Sequence, residues 1–312
     1  MKRINFLLVV LFLFFGWGCT SKKSQKTNQK SDVKFPPELV SFTPYKGNPV
    51  FNGTDTTTWD RMIRERGYIL KEDGIYKMWY SGYNPGVTDE IHLGYATSKD
   101  GIHWERYPGN PIYKDYWVED MCVVHHKNKY YMFAEGLNDI AHLMISDDGI
   151  NWERAGNLDI RYKNGEPLSE GAYGTPTAWV EDGTWYLFYE RGDEAIWLAT
   201  STDMKVWTNI QDEPVIECGE TYDHGAVAID QIVKYKGRYY GYYHATATIP
   251  WSDWSSNVAM SEDLIHWEKY PQNPVVKPNR SSPIIIIDGD KTIFYTMHHP
   301  GVCLYFPTNQ KK

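Results

Sequence analysis

The sequence predicts an all-β fold: a five-bladed β-propeller with four antiparallel strands per blade and a ring closed by the N-terminal strand. Three observations predict it. The stretch Tyr76–Trp104, a strand, a loop, a second strand, an Asp-Gly turn and a closing tryptophan, returns as Tyr130–Trp152, Tyr186–Trp207 and Tyr239–Trp267, with an abbreviated fifth copy. The closing tryptophans Trp104, Trp152, Trp207 and Trp267 stand 48 to 60 residues apart, a period that marks a propeller when each unit holds several short strands. Aromatics at 15% and 25 glycines suit wedged sheets and tight turns, and no segment shows a long amphipathic period, so helices should be few. Five blades of about 50 residues absorb the 312-residue chain.

The chain opens with Lys2 and Arg3 before the apolar run Ile4–Phe15, which is short for a transmembrane helix. It ends in Gly16-Trp17-Gly18-Cys19, resembling a bacterial lipobox whose cysteine is lipidated and becomes the mature N-terminus. Residues 1–19 are therefore expected to be a lipoprotein signal peptide, with an ordinary secretory signal or an uncleaved anchor as alternatives. Residues 20–38, polar and rich in Lys and Ser, read as a flexible tether, and residues 39–312 as the propeller. The expected address is the cell envelope, with a lipid anchor in the outer membrane and either membrane face open. With Cys19 assigned to lipid, Cys122, Cys218 and Cys303 form neither a zinc motif nor a disulfide framework and read as free thiols.

In blade 1, Gly67–Leu70 is the innermost strand, Glu72-Asp73-Gly74 its hairpin turn, Tyr76–Tyr80 the second strand and His92–Thr97 the third. The turn Ser98-Lys99-Asp100-Gly101 follows and recurs at Ser146–Gly149, Ser201–Asp203 and Ser261–Asp263. The fourth strand begins at Trp104–Arg106 and ends in Asn110-Pro111, where an outer edge tolerates proline. Asn-Pro recurs at Asn273-Pro274 and, ahead of any blade, at Asn48-Pro49. Asn48–Phe51 is therefore expected to be the outer strand of a fifth blade built from Ser282–Ile287, Lys291–Met297 and Val302–Phe306, which removes open sheet edges.

Residues just before strand one and just after strand two of each blade converge on one mouth of a propeller. Blade 1 offers Trp59, Asp60, Arg64, Arg66 and Tyr83; blade 2, Trp117, Glu119, Asp120 and Glu135; blade 3, Glu170, Tyr173, Thr175, Glu190 and Arg191; blade 4, Tyr222-Asp223-His224 and His244; blade 5, Ser281, His298 and His299. An acid beside the apolar Met121–Val124 needs a partner or a task, which singles out Asp120. Arg64 and Arg66 either neutralise the nearby acids or bind a carboxylate or sulfate on a substrate. Trp59, Trp117, Tyr83 and Tyr173 are candidates to stack on sugar faces, though most of the 13 Trp and 24 Tyr must be wedges between blades. His224, His244 and His298 are candidates to hold a sugar hydroxyl, a chloride or a central ion such as calcium; no cofactor is required. A net charge of -8 argues against nucleic acid as partner, and a monomer is expected.

The phrases YKMWYSG, LGYATSKDGIHWERYPGNPI and VEDMCVVHHKNKYYMFAEG resemble the five-bladed propeller glycoside hydrolases, the superfamily holding families 32, 43, 62, 68, 117 and 130, over about residues 46 to 306. The resemblance implies a carbohydrate substrate and one acid near the start of strand one on each of the first three blades. Two carboxyls flanking a sugar are what cleavage requires, one protonating the leaving oxygen and the other activating water or attacking directly. Asp120 matches the family spacing, with Met121 in place of the usual proline. On blade 1 that spacing lands on Arg66, so Asp60 would have to reach in from six residues upstream; on blade 3 it lands on Thr175, with Glu170 displaced by five. The expectation is an exported hydrolase with Asp60 as base, Glu170 as acid and Asp120 tuning it. Glu135 and Glu190 are candidates for catalysis or arginine binding. The longer loops Asn84–Glu90 and Thr246–Trp254 suggest a covered pocket and exo action. The alternatives are a glycan-binding propeller without catalysis, a phosphorylase in which Arg64, Arg66 and Arg191 hold phosphate, and a lyase.

Overall fold

Each repeated phrase folds as an antiparallel sheet, and its turn shows why the sequence repeats. In the computed structural model, which describes residues 33–64, 66–168 and 173–309, Ser98 Oγ accepts the Gly101 N–H, and Asp100 Oδ1 accepts the N–H groups of Ile102 and His103. Ser146 with Asp148, Ser201 with Asp203 and Ser261 with Asp263 repeat this side-chain turn. Burial opposes ionisation of Asp148, but the N–H groups of Asn151 and Ile150 outweigh it and hold its carboxyl down at about 2.

Five such sheets form the five-bladed β-propeller. Blade 1 runs Tyr68–Glu72, Ile75–Asn84, Thr88–Ser98 and Glu105–Arg106; blade 2 runs Glu119–His126, Lys129–Glu135, Ala141–Ser146 and Glu153–Asn157. Blade 3 runs Thr177–Glu181, Thr184–Glu190, Ala195–Ser201 and Val206–Asn209, with Asp159–Arg161 added parallel at its edge. Blade 4 runs Ala226–Tyr235, Arg238–Thr246, Ser255–Ser261 and Trp267–Lys269. Blade 5 holds Pro283–Asp288, Lys291–Thr296 and Gly301–Pro307.

The N-terminal segment closes the ring, as Phe42–Pro44 and Phe51–Asn52 both pair with Gly301–Pro307. The Asn-Pro motif has a physical reason. The side-chain amide of Asn48 both donates to and accepts from the backbone of Leu304. Asn110 does the same with Tyr95, and Asn273 with Val258. One side chain thus substitutes for a ladder residue along the outer edge of the third strand.

The closing tryptophans are inter-blade wedges. Trp152 packs edge-on to Trp79 at 6.3 Å, Trp207 to Phe133 at 5.7 Å, Trp267 to Phe188 at 5.8 Å and Trp104 to Tyr295 at 6.4 Å. Every pair joins one blade to the second strand of the blade before it, each contributing about 0.5–1.5 kcal/mol beyond area burial. Blade 5 has no such tryptophan. Tyr242 of blade 4, at the corresponding position, instead packs on Phe294 and donates to the carbonyl of the fully buried Leu39. Leu39 belongs to the four-residue helix Pro37–Val40, and Phe35 lies 5.1 Å from the ring of Tyr270. The folded unit therefore starts at Lys34, and residues 34–38, expected in the tether, are docked on the propeller. The signal peptide, Cys19 and the rest of the expected tether lie outside the described residues, apart from Val33. Cys122, Cys218 and Cys303 are free thiols.

The axis is plugged below its mouth. Tyr68, Cys122, Thr177, Gln231 and Ile284, one from each blade at matching register, are all buried. Tyr68 of blade 1 interacts with both Cys122 of blade 2 and Gln231 of blade 4, and Gln231 Oε1 accepts the Ile285 N–H of blade 5 at 2.7 Å. This layer is the floor of the site.

Candidate active site

Directly above the floor, at the head of the innermost strands, stand Arg66, Asp120, Thr175 and Ser282, all with left-handed backbone (φ 58°, 50°, 45° and 57°). A non-glycine residue in that region is uncommon, and its repetition in four blades shows a shared kink that turns the chain into the sheet. In blade 4 the kink is replaced by a bulge between Ile229 and Gln231, which presents Asp230. At matching positions on or just past the second strands stand Ser81, Glu135, Glu190, His244 and Met297.

Arg66 is the hub of this ring. Its N–H donates to Met297 of blade 5, its carbonyl accepts from Met121 of blade 2, and its guanidinium bonds Thr175 Oγ1 of blade 3. It forms an ion pair with Asp120 Oδ2 at 3.0 Å. Burial works against its charge, but the negative charges of Asp120, Glu135, Asp193 and Asp230 outweigh that and hold Arg66 protonated. Arg64 Nε donates to Glu119 Oε2 at 2.7 Å, and Trp117 Nε1 donates to the other oxygen of Glu119.

Glu135 and Glu190 converge on Gly174. A Cβ built on Gly174 would lie 2.1 Å from Glu190 Oε1 and 2.4 Å from Glu135 Oε2, so those oxygens are no farther apart than the sum of the two distances. Glu135 accepts the Thr175 N–H at 2.9 Å, and Glu190 accepts the Asp193 N–H. Burial pushes Glu135 up to about 8, with the charge of Glu119 adding to burial and Arg66 opposing it. Burial and then the charge of Asp193 push Glu190 up to about 7. The pair retains a proton near neutral pH, which is what a general acid requires.

Blade 4 adds a dyad. His244 Nδ1 lies 3.0 Å from each oxygen of Asp230, both residues being buried. Asp230 was not singled out in the sequence because the bulge shifts it one residue from the position that the other blades use. Its signal is an acid inside the apolar run Ala226–Val233.

Other candidates lie elsewhere. Asp60 is buried, but its Oδ2 is held by Tyr80 Oη at 3.0 Å and by Arg106 Nε at 2.8 Å, while Oδ1 accepts from Thr54. It faces the outermost strand of blade 1 and not Arg66. Asp223 occupies the same role in blade 4, with Lys269 of the outermost strand at 2.6 Å. Both acids bolt a leading loop to the edge of its own blade. Arg191 lies among the rings of Trp197, Tyr162 and Tyr189 at 4.5, 5.6 and 5.6 Å and donates to Tyr189 Oη, so it does not join Arg64 and Arg66. Trp59 stacks on Tyr80 at 5.8 Å, Tyr83 lies 6.2 Å from His299, and Tyr173 meets Tyr189 edge-on. His298 Nδ1 bonds Ser281 Oγ at 2.7 Å, and His224 is exposed. His224, His244 and His298 are thus in separate settings, and among the described residues no group of three or more His, Cys, Asp or Glu is placed to hold a metal. The expected loop Asn84–Glu90 is mostly strand, reduced to a tight turn between Asn84 and Thr88. Glu170 lies outside the described residues.

No protein-family model matches the chain. It is 30% identical over 158 residues to a 1,2-beta-oligomannan phosphorylase of Thermoanaerobacter sp., covering 48% of this chain and 51% of that protein. It is 24% identical over 193 residues to a fructan beta-fructosidase of Streptococcus mutans, covering 55% of this chain and 13% of that one. The chain thus spans about half or less of the curated relatives it matches. Among solved structures, a glycosyl hydrolase from Bacteroides ovatus superposes with a TM-score of 0.67 at 16% identity, covering 87% of this chain and 95% of that one. A structure from the mannoside phosphorylase family that contains glycoside hydrolases targeting beta-1,2 mannosidic linkages in Candida mannan superposes at 0.63 with 15% identity, covering 87% and 95%. The chain therefore carries the five-bladed propeller fold that these glycoside hydrolases and phosphorylases share.

Proposed function

We propose that this protein hydrolyses a glycosidic bond in a neutral oligosaccharide, with the Glu135–Glu190 pair as the proton-donating side of the site. The observation that carries this reading is the convergence of those two buried carboxyls on Gly174, with both pushed up towards or past neutrality. Glu135, which also accepts the Thr175 N–H, is assigned the proton delivered to the leaving oxygen. Glu190 sits too close for the water that an inverting enzyme places between acid and base, whose carboxyls are ~6.5–9.5 Å apart. Asp120, ion-paired to Arg66, is then the carboxylate available to activate water or attack the sugar. Glu170, four residues before Gly174, stays a candidate for a second acid on blade 3.

Water is favoured over phosphate, and a neutral sugar over an acidic or sulfated one, by how the cations are used. Arg64 is engaged by Glu119, Arg66 by Asp120, and Arg191 is packed among aromatic rings. The closed floor supports a blind pocket and exo action. The second reading, phosphorolysis, draws on the likeness to the oligomannan phosphorylase. Sugar release from a panel of neutral oligosaccharides, with and without phosphate, tests the proposal. Phosphate-independent release that is lost in Glu135→Gln is expected. Release only with phosphate favours phosphorolysis, and binding without release favours the glycan-binding alternative. We further propose export and lipid anchoring through Cys19, on the N-terminal sequence alone. Labelling with a radioactive fatty acid that disappears in Cys19→Ala is the expected result, and undiminished label refutes it.

A further inference from the structure

The loop after the second strand of blade 4 leads from the buried dyad to the surface by a chain of rings. His244 meets Trp254 edge-on at 5.1 Å, and Trp254 lies 6.3 Å from Trp251, which is 52% exposed. Neighbouring Ile249 is also largely exposed. The loop carrying them is braced internally. Thr246 Oγ1 and Thr248 Oγ1 are 2.9 Å apart, both hydroxyls reach the Ser252 carbonyl, and the Ser252 N–H donates to Thr248 Oγ1 at 3.0 Å. An indole exposed on a braced loop is presented at low cost in conformational entropy, because the loop need not order on binding. A second observation is independent of that exposure. His244 is buried, its Nδ1 is fixed by Asp230, and its Nε2, on the far side of the ring from Asp230, is buried with no hydrogen-bond partner among the described residues. An orphaned buried polar atom is costly unless something arrives to satisfy it.

We infer that His244, Trp254 and Trp251 form a second sugar-binding subsite that leads outward from the axial acids, so that the preferred ligand is a neutral oligosaccharide longer than the two units flanking the cleaved bond. Trp251 takes the apolar face of an outer sugar ring. His244 Nε2 takes a hydroxyl of a sugar nearer the axis, and a hydroxyl can serve as donor or acceptor and so suits either protonation state of the ring. This rests on the proposed glycoside-processing site but concerns ligand length and not the bond-breaking step.

The test is calorimetric titration of a Glu135→Gln protein with neutral oligosaccharides of increasing length, alone and combined with Trp251→Ala or His244→Gln, with Tyr107→Ala on blade 1 as a control. The expected result is affinity that rises with length in Glu135→Gln alone. Trp251→Ala should flatten that rise by about tenfold at the longer oligosaccharides, and His244→Gln should weaken binding by about fivefold. Tyr107→Ala should change neither. In the parent enzyme Trp251→Ala should act on KM of long substrates and not on kcat. Affinity independent of length, the same length dependence with and without Trp251, or no binding across the panel overturns the subsite. Because Trp251 is exposed, its variant tests the idea even where His244→Gln does not fold. Length-dependent binding without turnover in the parent protein would remove the hydrolase reading and leave the subsite standing.

Discussion

Replacing Gly174 by alanine tests the acid pair without deleting either acid. The added methyl would stand 2.1 Å from Glu190 Oε1 and 2.4 Å from Glu135 Oε2, and the backbone of Gly174 is not in the left-handed region, so alanine is tolerated by the main chain itself. Each oxygen must retreat by roughly 1 Å to reach ordinary contact. The atoms that give way are ends of flexible side chains, so the stability cost should fall near the low end of the ~1–3 kcal/mol typical of overpacking. That predicts a fall in Tm of a few degrees. Activity should suffer far more, because misplacing a reacting group by ~1 Å costs about 10²-fold in rate. The assay is kcat/KM on the best oligosaccharide substrate beside thermal unfolding of the same preparation. Unchanged kcat/KM in a folded Gly174→Ala protein would refute the pairing of Glu135 and Glu190 as the working acid.

Glu135 also gives a pH signature. Its folded value of about 8 exceeds the ordinary carboxyl value, so the folded state holds a proton that the unfolded chain has released, and stability falls as pH rises through that window. Glu135→Gln should therefore raise Tm more at about pH 8.5 than at about pH 5; the same gain at both pH values refutes the shift. Arg66→Met removes the cation that lowers Glu135 and strands the surrounding acids. It should cost about 3–5 kcal/mol by denaturant unfolding, and any residual activity should keep its alkaline limb to higher pH. Asp60→Asn should lower stability by about 1.5–3 kcal/mol through the loss of its charged hydrogen bond to the half-buried Arg106, with turnover per folded molecule retained; loss of turnover in a stably folded protein would restore a catalytic role to Asp60.

Much of the fold was legible because its determinants are local. The Ser-x-Asp turns, the Asn-Pro amide pairing and the edge-on tryptophans each repeat a contact whose residues sit at fixed spacing, and even ring closure could be read from Asn48-Pro49. The site was legible only in part. Glu135, Glu190, Asp120 and Arg66 were reachable from strand position alone. Asp60 was not distinguishable from an axial acid because its partner, Arg106, comes from the far strand of the same blade and no sequence spacing announces that pair. Asp230 was hidden by a bulge of one residue. Gly174 had no signal of its own, since its importance lies in the absent side chain that lets two glutamates meet.

The central claim is that Glu135 protonates the leaving oxygen. It is tested most directly by comparing parent protein and Glu135→Gln on glycosides of one sugar with a series of leaving groups. A sugar leaving group needs the proton, and its hydrolysis should fall by about 10²–10⁴-fold. A dinitrophenolate needs none, and its release in the first turnover should be nearly unaffected. Equal loss across the series, or no loss on the natural linkage, would contradict the account.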